Sequence, residues 1–227
     1  PCHEIIIEGD DLDKPGNALD AIPVPISTPG WDVGPVATLT QYVTKDPDDG
    51  LTNMGNYRAQ VKAPRRMGMN PSLELRPGIY IHWQKMKKRG EKLPAAVVLG
   101  APSCVTFTAA QKLPENLEEI TVAGGLVGSP INVVKARTVD LMVPAEAEIV
   151  VEGYINTEML EPEAPFGESH GHVNLQEFNA FMDVTCITRR SDACMTSIIS
   201  QVTPSESSCI KQVAYETIFM NHMRDAL

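Results

Sequence analysis

The stretch AEIVVEGYI, residues 147–155, follows Pro144 and concentrates β-branched residues in a short run. Such a run is typical of a β-strand and is less favourable in a helix. The same character recurs in segments that Pro and Gly turns separate, which are residues 36–44, 57–61, 95–99, 131–143 and 181–188. Residues 4–8 are a further strand candidate. Together these segments predict a chain that is rich in strands.

Three segments have helical character instead, and they are residues 79–89, 102–112 and the terminal segment 204–227. The sequence Thr203-Pro-Ser-Glu206 predicts that the last helix has its N-cap at Thr203 and a capping box with Glu206. The glycine-rich stretch GGLVG, residues 124–128, fits neither a dinucleotide-binding motif nor a P-loop, and it predicts a turn. The predicted class is therefore α+β and mainly β, a barrel or sandwich with a few helices.

Composition narrows the range of functions. The chain has 227 residues, of which 43% are hydrophobic, so it can bury a sizeable core. A net charge of −10 argues against a nucleic-acid surface, because phosphate binding needs a positive field. Five scattered cysteines without a C-x-x-C pair predict free thiols in a reducing compartment. No apolar run approaches the roughly 18 residues that span a bilayer, and the start has no signal-peptide pattern. We expect a cytoplasmic protein whose polypeptide continues beyond both ends of this sequence.

The stretch EPEAPFGESHGHVN, residues 161–174, places Glu163 and Glu168 around Pro165 and Gly167. Neither a helix nor a regular strand favours this combination of Pro and Gly, so the two acids lie on stiff, irregular chain. They are candidates for acid–base chemistry. In the same stretch His170 and His172 alternate as strand neighbours do, and we interpret them as structural.

Several polar residues are of the kinds that bind a divalent cation such as manganese, which takes oxygen ligands with one nitrogen. Their spacing alone does not select a set. Taken singly, Asn53 is typical of a turn, His82 of a half-buried position on a helix, and Glu119 of a solvated pair with Glu118. The sequence by itself leaves these alternatives open.

Four longer stretches together resemble the UbiD-like family of decarboxylases, enzymes that use prenylated flavin mononucleotide (prFMN). They are IPVPISTPGWDVGPVATLTQYVTKDPDDGLTNMGNYRAQV at 22–61, LPAAVVLGAPS at 93–103, VPAEAEIVVEGYI at 143–155 and EPEAPFGESHGH at 161–172. Their order and spacing agree over nearly the whole chain. The resemblance implies a split β-barrel that binds flavin, as a fragment of a larger α/β multidomain enzyme.

The resemblance also implies roles for individual residues. Arg58, Glu163 and Glu168 match a hydrogen-bonded Arg-Glu-Glu network over the reactive face of the flavin, with Glu168 as the acid–base group. Asn53, His82 and Glu119 match the ligands of a metal that ties the cofactor phosphate to the protein, most often Mn²⁺, with K⁺ as a further candidate cation. The residues implied to contact the cofactor are Asn53, Met54, Arg58, His82, Lys112 and Glu119. Ser207 and Ser208 stand where some relatives that act on phenolic acids have His.

The activity implied is reversible, non-oxidative decarboxylation of an aromatic or α,β-unsaturated carboxylic acid. The implied domains are residues 1–20 as the end of an N-terminal α/β region or a linker, 21–203 as the flavin-binding domain, and 204–227 as a helix that leads into a C-terminal domain. The implied partners are the acid substrate, a flavin prenyltransferase that supplies the cofactor, and further copies of the chain in a homo-oligomer. Two alternatives remain, a non-catalytic flavin-binding or assembly subunit and a hydrolase that uses paired carboxylates.

Overall fold

The computed structural model describes residues 1–70, 77–114, 116–163, 165–168, 170–199 and 202–226. In chain order its strands are β1 (Ile5–Glu8), β2 (Val36–Ala37), β3 (Gln41–Lys45), β4 (Thr52–Asn56), β5 (Ala59–Ala63), β6 (Arg66–Met69), β7 (Leu93–Leu99), β8 (Val133–Lys135), β9 (Met142–Pro144), β10 (Ile149–Ile155), β11 (Glu161–Glu163), β12 (Phe166–Gly167), β13 (Val173–Asn174) and β14 (Glu177–Arg189). The α-helices within these ranges are α1 (Gly78–Arg89), α2 (Ser103–Ala109), α3 (Glu119–Val127) and α4 (Glu206–Ala226).

One ten-stranded antiparallel sheet organises the chain. Eight strands follow the order β2-β5-β6-β14-β10-β7-β3-β4, while β1 and β11 pair with opposite halves of the long strand β14. Two small hairpins, β8–β9 and β12–β13, stand apart from it. Among the described strands the sheet does not close into a barrel. The prediction of a mostly β chain with a few helices is confirmed.

The central strands are buried on both faces, which explains their nearly continuous apolar sequences. In β10, Ile149 and Val151 face a core shared with α1, whereas Val150 faces a second core shared with α2 and α3. In β7, Val97 and Val98 divide between the same two cores. Helices on both sides of the sheet therefore remove both faces of these strands from water.

Three of the local predictions are wrong. Residues 124–127 belong to α3 rather than to a turn, and only Gly128, with a φ of 71°, ends the helix in the left-handed region. Residues 131–143 form two short strands, because the backbone N–H of Ala136 donates to the carbonyl of Leu141 and closes a turn between β8 and β9. His170 and His172 lie exposed in the turn before β13, not in a strand.

The terminal helix begins at Glu206, later than its predicted N-cap at Thr203. The reciprocal contacts of a capping box lie instead between Ser205 and Ser208. The N–H of Ser205 donates to Oγ of Ser208 at 2.8 Å, and the N–H of Ser208 donates to Oγ of Ser205 at 3.4 Å. Glu206 accepts the N–H of Ile199.

All five cysteines are free thiols, as the sequence predicts. Burial raises the pKa of the Cys186 thiol to about 12, and the nearby carboxylates of Glu152 and Glu8 add to the rise. Of the helices that the structure describes, none combines the length and the apolar character that crossing a bilayer requires.

We expect Gly153→Ala to lower the free energy of unfolding by about 1–3 kcal/mol. Gly153 lies at a bulge between β10 and β14, where an added Cβ would stand 2.1 Å from the carbonyl oxygen of Asp183. Urea unfolding measures the loss. Gly125→Ala is the matched control, because a Cβ there meets nothing within 4 Å and Ala favours the helix by up to about 1 kcal/mol. Equal effects of the two substitutions would contradict the crowding at residue 153.

Candidate active site and cofactor groove

The structure brings Arg58, Glu163 and Glu168 together. Arg58 lies in the link between β4 and β5, Glu163 ends β11, and Glu168 follows the short strand β12. Glu163 contacts Nε and Nη2 of the Arg58 guanidinium, and Glu168 contacts Nη1.

Glu163 is the more firmly held of the two acids. Arg58 donates two hydrogen bonds to it, from Nε to Oε1 at 3.0 Å and from Nη2 to Oε2 at 2.7 Å. The amides of Asn70 and Asn179 also donate to Oε2, at 2.9 and 3.0 Å. A side chain that is only 5% exposed thus has both oxygens satisfied by charged or polar donors, as a buried carboxylate requires.

Glu168 is held by a smaller set of contacts. Nη1 of Arg58 and the amide of Asn174 both donate to its Oε1, the latter at 2.7 Å. The backbone N–H of Glu168 donates to the carbonyl of His172 across the β12–β13 hairpin. The Glu168 side chain keeps 19% of its surface exposed and borders a cavity, so it is accessible to a bound molecule.

Arg58 stays cationic in this setting. Burial alone would lower the pKa of Arg58, but the hydrogen bonds and charge of Glu163, with the charges of Glu168 and Glu177, raise it overall. Its guanidinium carbon also lies 4.9 Å from the centre of the Phe166 ring. The planar fork can therefore bind two carboxylates at once and fix their relative positions.

A second cluster forms where β4, α1 and α3 meet. Asn53, His82 and Glu119 all line one cavity of about 240 Å³, although they are far apart in sequence. Gly78 begins α1 against Asn53, and a Cβ at residue 78 would stand 2.0 Å from Oδ1 of Asn53. Glycine at that position is what allows the helix to approach the asparagine.

Glu119 is buried, so its interpretation as one of a solvated pair is wrong. One carboxylate oxygen accepts the backbone N–H of Met54 at 2.8 Å, while Glu118 binds the N–H of Thr52. Burial raises the pKa of Glu119, against the opposing effect of the Met54 and Glu119 backbone donors. The amide nitrogen of Asn53 is buried without a hydrogen-bond partner among the described residues.

His82 makes two contacts inside the protein. Its Nδ1 lies 2.9 Å from the hydroxyl of Thr44, and its Nε2 lies 3.6 Å from Oδ2 of Asp46. Burial lowers the pKa of His82 despite the opposing charge of Asp46, which favours the neutral imidazole that a metal ligand requires. Asp46 directly follows β3, and it is not among the site residues predicted from the sequence.

The donor set of an amide, an imidazole and a carboxylate suits a hard divalent cation. Within the described ranges, no three His, Cys, Asp or Glu side chains are arranged to bind a metal. The candidate site therefore depends on Asn53, which lines the cavity and would have to turn its amide oxygen toward the cation, in place of the unpartnered amide nitrogen.

The two clusters lie along one groove. A further cavity of about 320 Å³ is lined by Arg58, Phe166, Glu168 and Ser207, and it shares Tyr57, Pro77, Ala109, Gln111 and Lys112 with the first. Lys112 is exposed and reaches both cavities, and its charge acts on Glu119. A long molecule could place one end at Asn53 and Glu119 and the other at Arg58 and Glu168.

Three asparagines of the acid network, Asn70, Asn174 and Asn179, were not predicted. Nothing in the sequence marks them, because each becomes significant only through strand pairing. Asn179 lies on β14 opposite Glu161, two residues from Glu163 on the paired strand, and Asn174 pairs with Phe166 in the small hairpin.

Comparison with known proteins identifies the family. Residues 1–202 match the family described as "UbiD: 3-octaprenyl-4-hydroxybenzoate carboxy-lyase Rift-related domain". An uncharacterized protein from Synechocystis sp. is 34% identical over 208 residues, which cover 92% of this chain and 40% of that protein.

Two solved structures have the same fold over most of this chain. An evolved dimeric form of the UbiD-class enzyme HmfF from Pelotomaculum thermopropionicum, in complex with prFMN, has a TM-score of 0.88 and 28% identity, covering 99% of this chain and 50% of its own. Vanillic acid decarboxylase from Sedimentibacter hydroxybenzoicus has a TM-score of 0.85 and 28% identity, covering 92% and 44%. The chain thus spans half or less of the length of these three proteins. The match over residues 1–202 and this agreement in fold show that the chain belongs to the UbiD family.

Proposed function

We propose that the chain is the flavin-binding region of a reversible, prFMN-dependent decarboxylase of an aromatic or α,β-unsaturated carboxylic acid. The observation that carries the proposal is the binding of Glu163 and Glu168 by one half-buried arginine at the wall of a groove. Membership of the family and the prFMN complex of HmfF support the choice of cofactor. The vanillic acid decarboxylase supports the class of substrate.

The chemistry requires an electron sink. Loss of carbon dioxide from an sp² carbon leaves an electron pair that no side chain accepts, and prFMN supplies the sink when it is bound. The chain supplies position and protons. Arg58 and Glu163 form a fixed ion pair beside the groove, and Glu168 holds the proton that replaces the lost carboxylate on carbon.

The other end of the groove is suited to the cofactor phosphate. Asn53, His82 and Glu119 would hold a divalent cation, with Mn²⁺ preferred, and the cation would neutralise phosphate charge. Met54 and Lys112 would line the cofactor there. His82 would have to direct Nε2 at the cation, whereas in this structure Nε2 faces Oδ2 of Asp46.

The finer assignments of fold and context are part of the same proposal. Residues 21–203, which contribute most of the large sheet, would correspond to the split barrel of the larger enzyme. Helix α4 would connect this domain to a C-terminal domain. We further propose a cytoplasmic homo-oligomer that receives its cofactor from a flavin prenyltransferase.

The competing function is a non-catalytic flavin-binding or assembly subunit, which is relevant because the chain spans half or less of its relatives. The paired-carboxylate hydrolase receives no support, since one guanidinium binds both acids.

The test is the absorption spectrum and intact-ligand mass of the full-length protein co-produced with a flavin prenyltransferase. We expect prFMN bound to the protein and carbon dioxide release from an aromatic or unsaturated acid. Bound prFMN without decarboxylation of any such acid favours the non-catalytic subunit. Ordinary FMN or no flavin would overturn the proposal.

We expect Mn²⁺ to raise the melting temperature of the full-length protein and Glu119→Ala to abolish that increase. Removing the carboxylate leaves the cation with fewer charged ligands, and stabilisation by a ligand depends on its affinity for the folded state. Differential scanning fluorimetry with and without Mn²⁺ measures the effect. Glu118→Ala is the matched control, because Glu118 precedes Glu119 but binds the N–H of Thr52. If Mn²⁺ raises the melting temperature of Glu119→Ala as much as that of the parent protein, Glu119 is not a ligand of the cation.

A further inference from the structure

The two acids of the network differ in which oxygens are engaged. Glu163 receives donors at both oxygens, one at Oε1 and three at Oε2. Glu168 receives its two side-chain donors, from Arg58 and Asn174, at Oε1 alone. In the described part of the chain no hydrogen bond reaches Oε2 of Glu168, and the residue itself lines the cavity.

Different parts of the fold hold the two acids. Asn70 follows β6 and Asn179 lies on β14, so Glu163 is fixed to the large sheet. Asn174 lies on β13, in the small hairpin that carries Glu168 itself. Apart from Arg58, Asn174 is the side chain that fixes the orientation of the Glu168 carboxylate within the described residues.

We propose that Asn174 is a positioning residue for the acid–base group and that Oε2 of Glu168 is the atom that carries the proton. Because Asn174 and Arg58 together engage Oε1, the carboxyl group cannot rotate freely, and Oε2 is directed away from the ion pair. Oε2 gives its proton to the carbon that holds the electron pair left by carbon dioxide. Glu168 then becomes a carboxylate and regains a proton from water. The proton transfer from Glu168 rests on the proposed function, whereas the positioning of Glu168 by Asn174 does not.

Three variants separate positioning from packing. Asn174→Ala removes the amide donor. Asn174→Asp keeps the size of the side chain but replaces the donor with a second carboxylate facing Oε1. Asn174→Gln keeps the donor on a side chain that is one methylene longer. Asn174 is half-buried. We expect Ala and Asp to lower kcat about tenfold or more, since misplacing a reacting group by an ångström is costly. We expect Gln to restore most of the rate and KM to change by less than about twofold.

A structural measurement is independent of activity. Crystal structures of the cofactor-free full-length variants should show the Glu168 carboxylate rotated away from Arg58 in Asn174→Ala and Asn174→Asp, and kept in place in Asn174→Gln. Glu163 should remain on Arg58 in all three. If Glu168 keeps its position in Asn174→Ala, or if Gln loses as much activity as Ala, Asn174 is not a positioning residue. If no variant and no parent protein decarboxylates any acid, the proposed function fails, and the structures still decide the role of Asn174.

Discussion

Glu168→Gln is expected to lower kcat by about 100-fold or more, the usual scale for the loss of a general acid. Gln keeps the shape of the side chain and can still contact Arg58 and Asn174 through its amide oxygen, but it has no carboxyl proton to transfer. Flavin binding should be unchanged, because the residues assigned to the phosphate line the other cavity. Steady-state rates and the flavin content of the purified variant measure the two quantities separately.

Glu177→Gln is the matched control for that substitution. Glu177 is exposed at the start of β14 and acts on Arg58 through its charge. It should retain most of the activity. Near-normal activity of Glu168→Gln, or an equal loss in both variants, would contradict the role assigned to Glu168.

Arg58→Ala is expected to lower the free energy of unfolding by about 3–5 kcal/mol, because it leaves a buried carboxylate without its cation. The side chains of Arg58 and Glu163 are 13% and 5% exposed, so water cannot replace the lost partner fully. Arg58→Ala combined with Glu163→Ala should cost less than the sum of the single changes, with a coupling of about 2 kcal/mol. Urea unfolding of the four proteins measures it.

The Arg65–Asp13 pair provides the comparison on the surface of the same protein. Its side chains are 40% and 60% exposed, and Arg65→Ala should cost about 0–1 kcal/mol. Additive losses in the Arg58 and Glu163 cycle, or an equal loss at Arg65, would show that the buried network is not a unit.

The fold could be predicted from sequence where the pattern is strong. Residues 149–151 are all apolar and β-branched because helices cover both faces of β10, and this gives a strong strand signal. Helix α3 was missed because Gly124 and Gly125 have low helix propensity. Tertiary packing overrides that propensity. Ala123 is fully buried, and the backbone of Ser129 packs closely against Gly124.

The site could be predicted only in part, because no local sequence pattern identifies its residues. The candidate residues Arg58, Glu163 and Glu168 came from resemblance to a family, not from spacing. The asparagines that orient the acids and the Asp46 beside His82 carry no pattern of their own. Asn179 reaches Glu163 through the register of β11 against β14, and the sequence does not specify that register.

Strand β14 also determines when the molecule can fold. It pairs with β1, β6, β10 and β11, and its contact with β1 joins Ile5 to Arg189. During synthesis, each of these four strands therefore keeps one edge unpaired until the part of β14 that it pairs with has emerged, which is residues 177–179 for β11, 180–183 for β6 and residues up to 189 for β1 and β10. Contacts so distant in sequence are associated with slow folding and with a risk of aggregation beforehand. Newly made chains are consequently expected to need protection by chaperones until β14 has emerged.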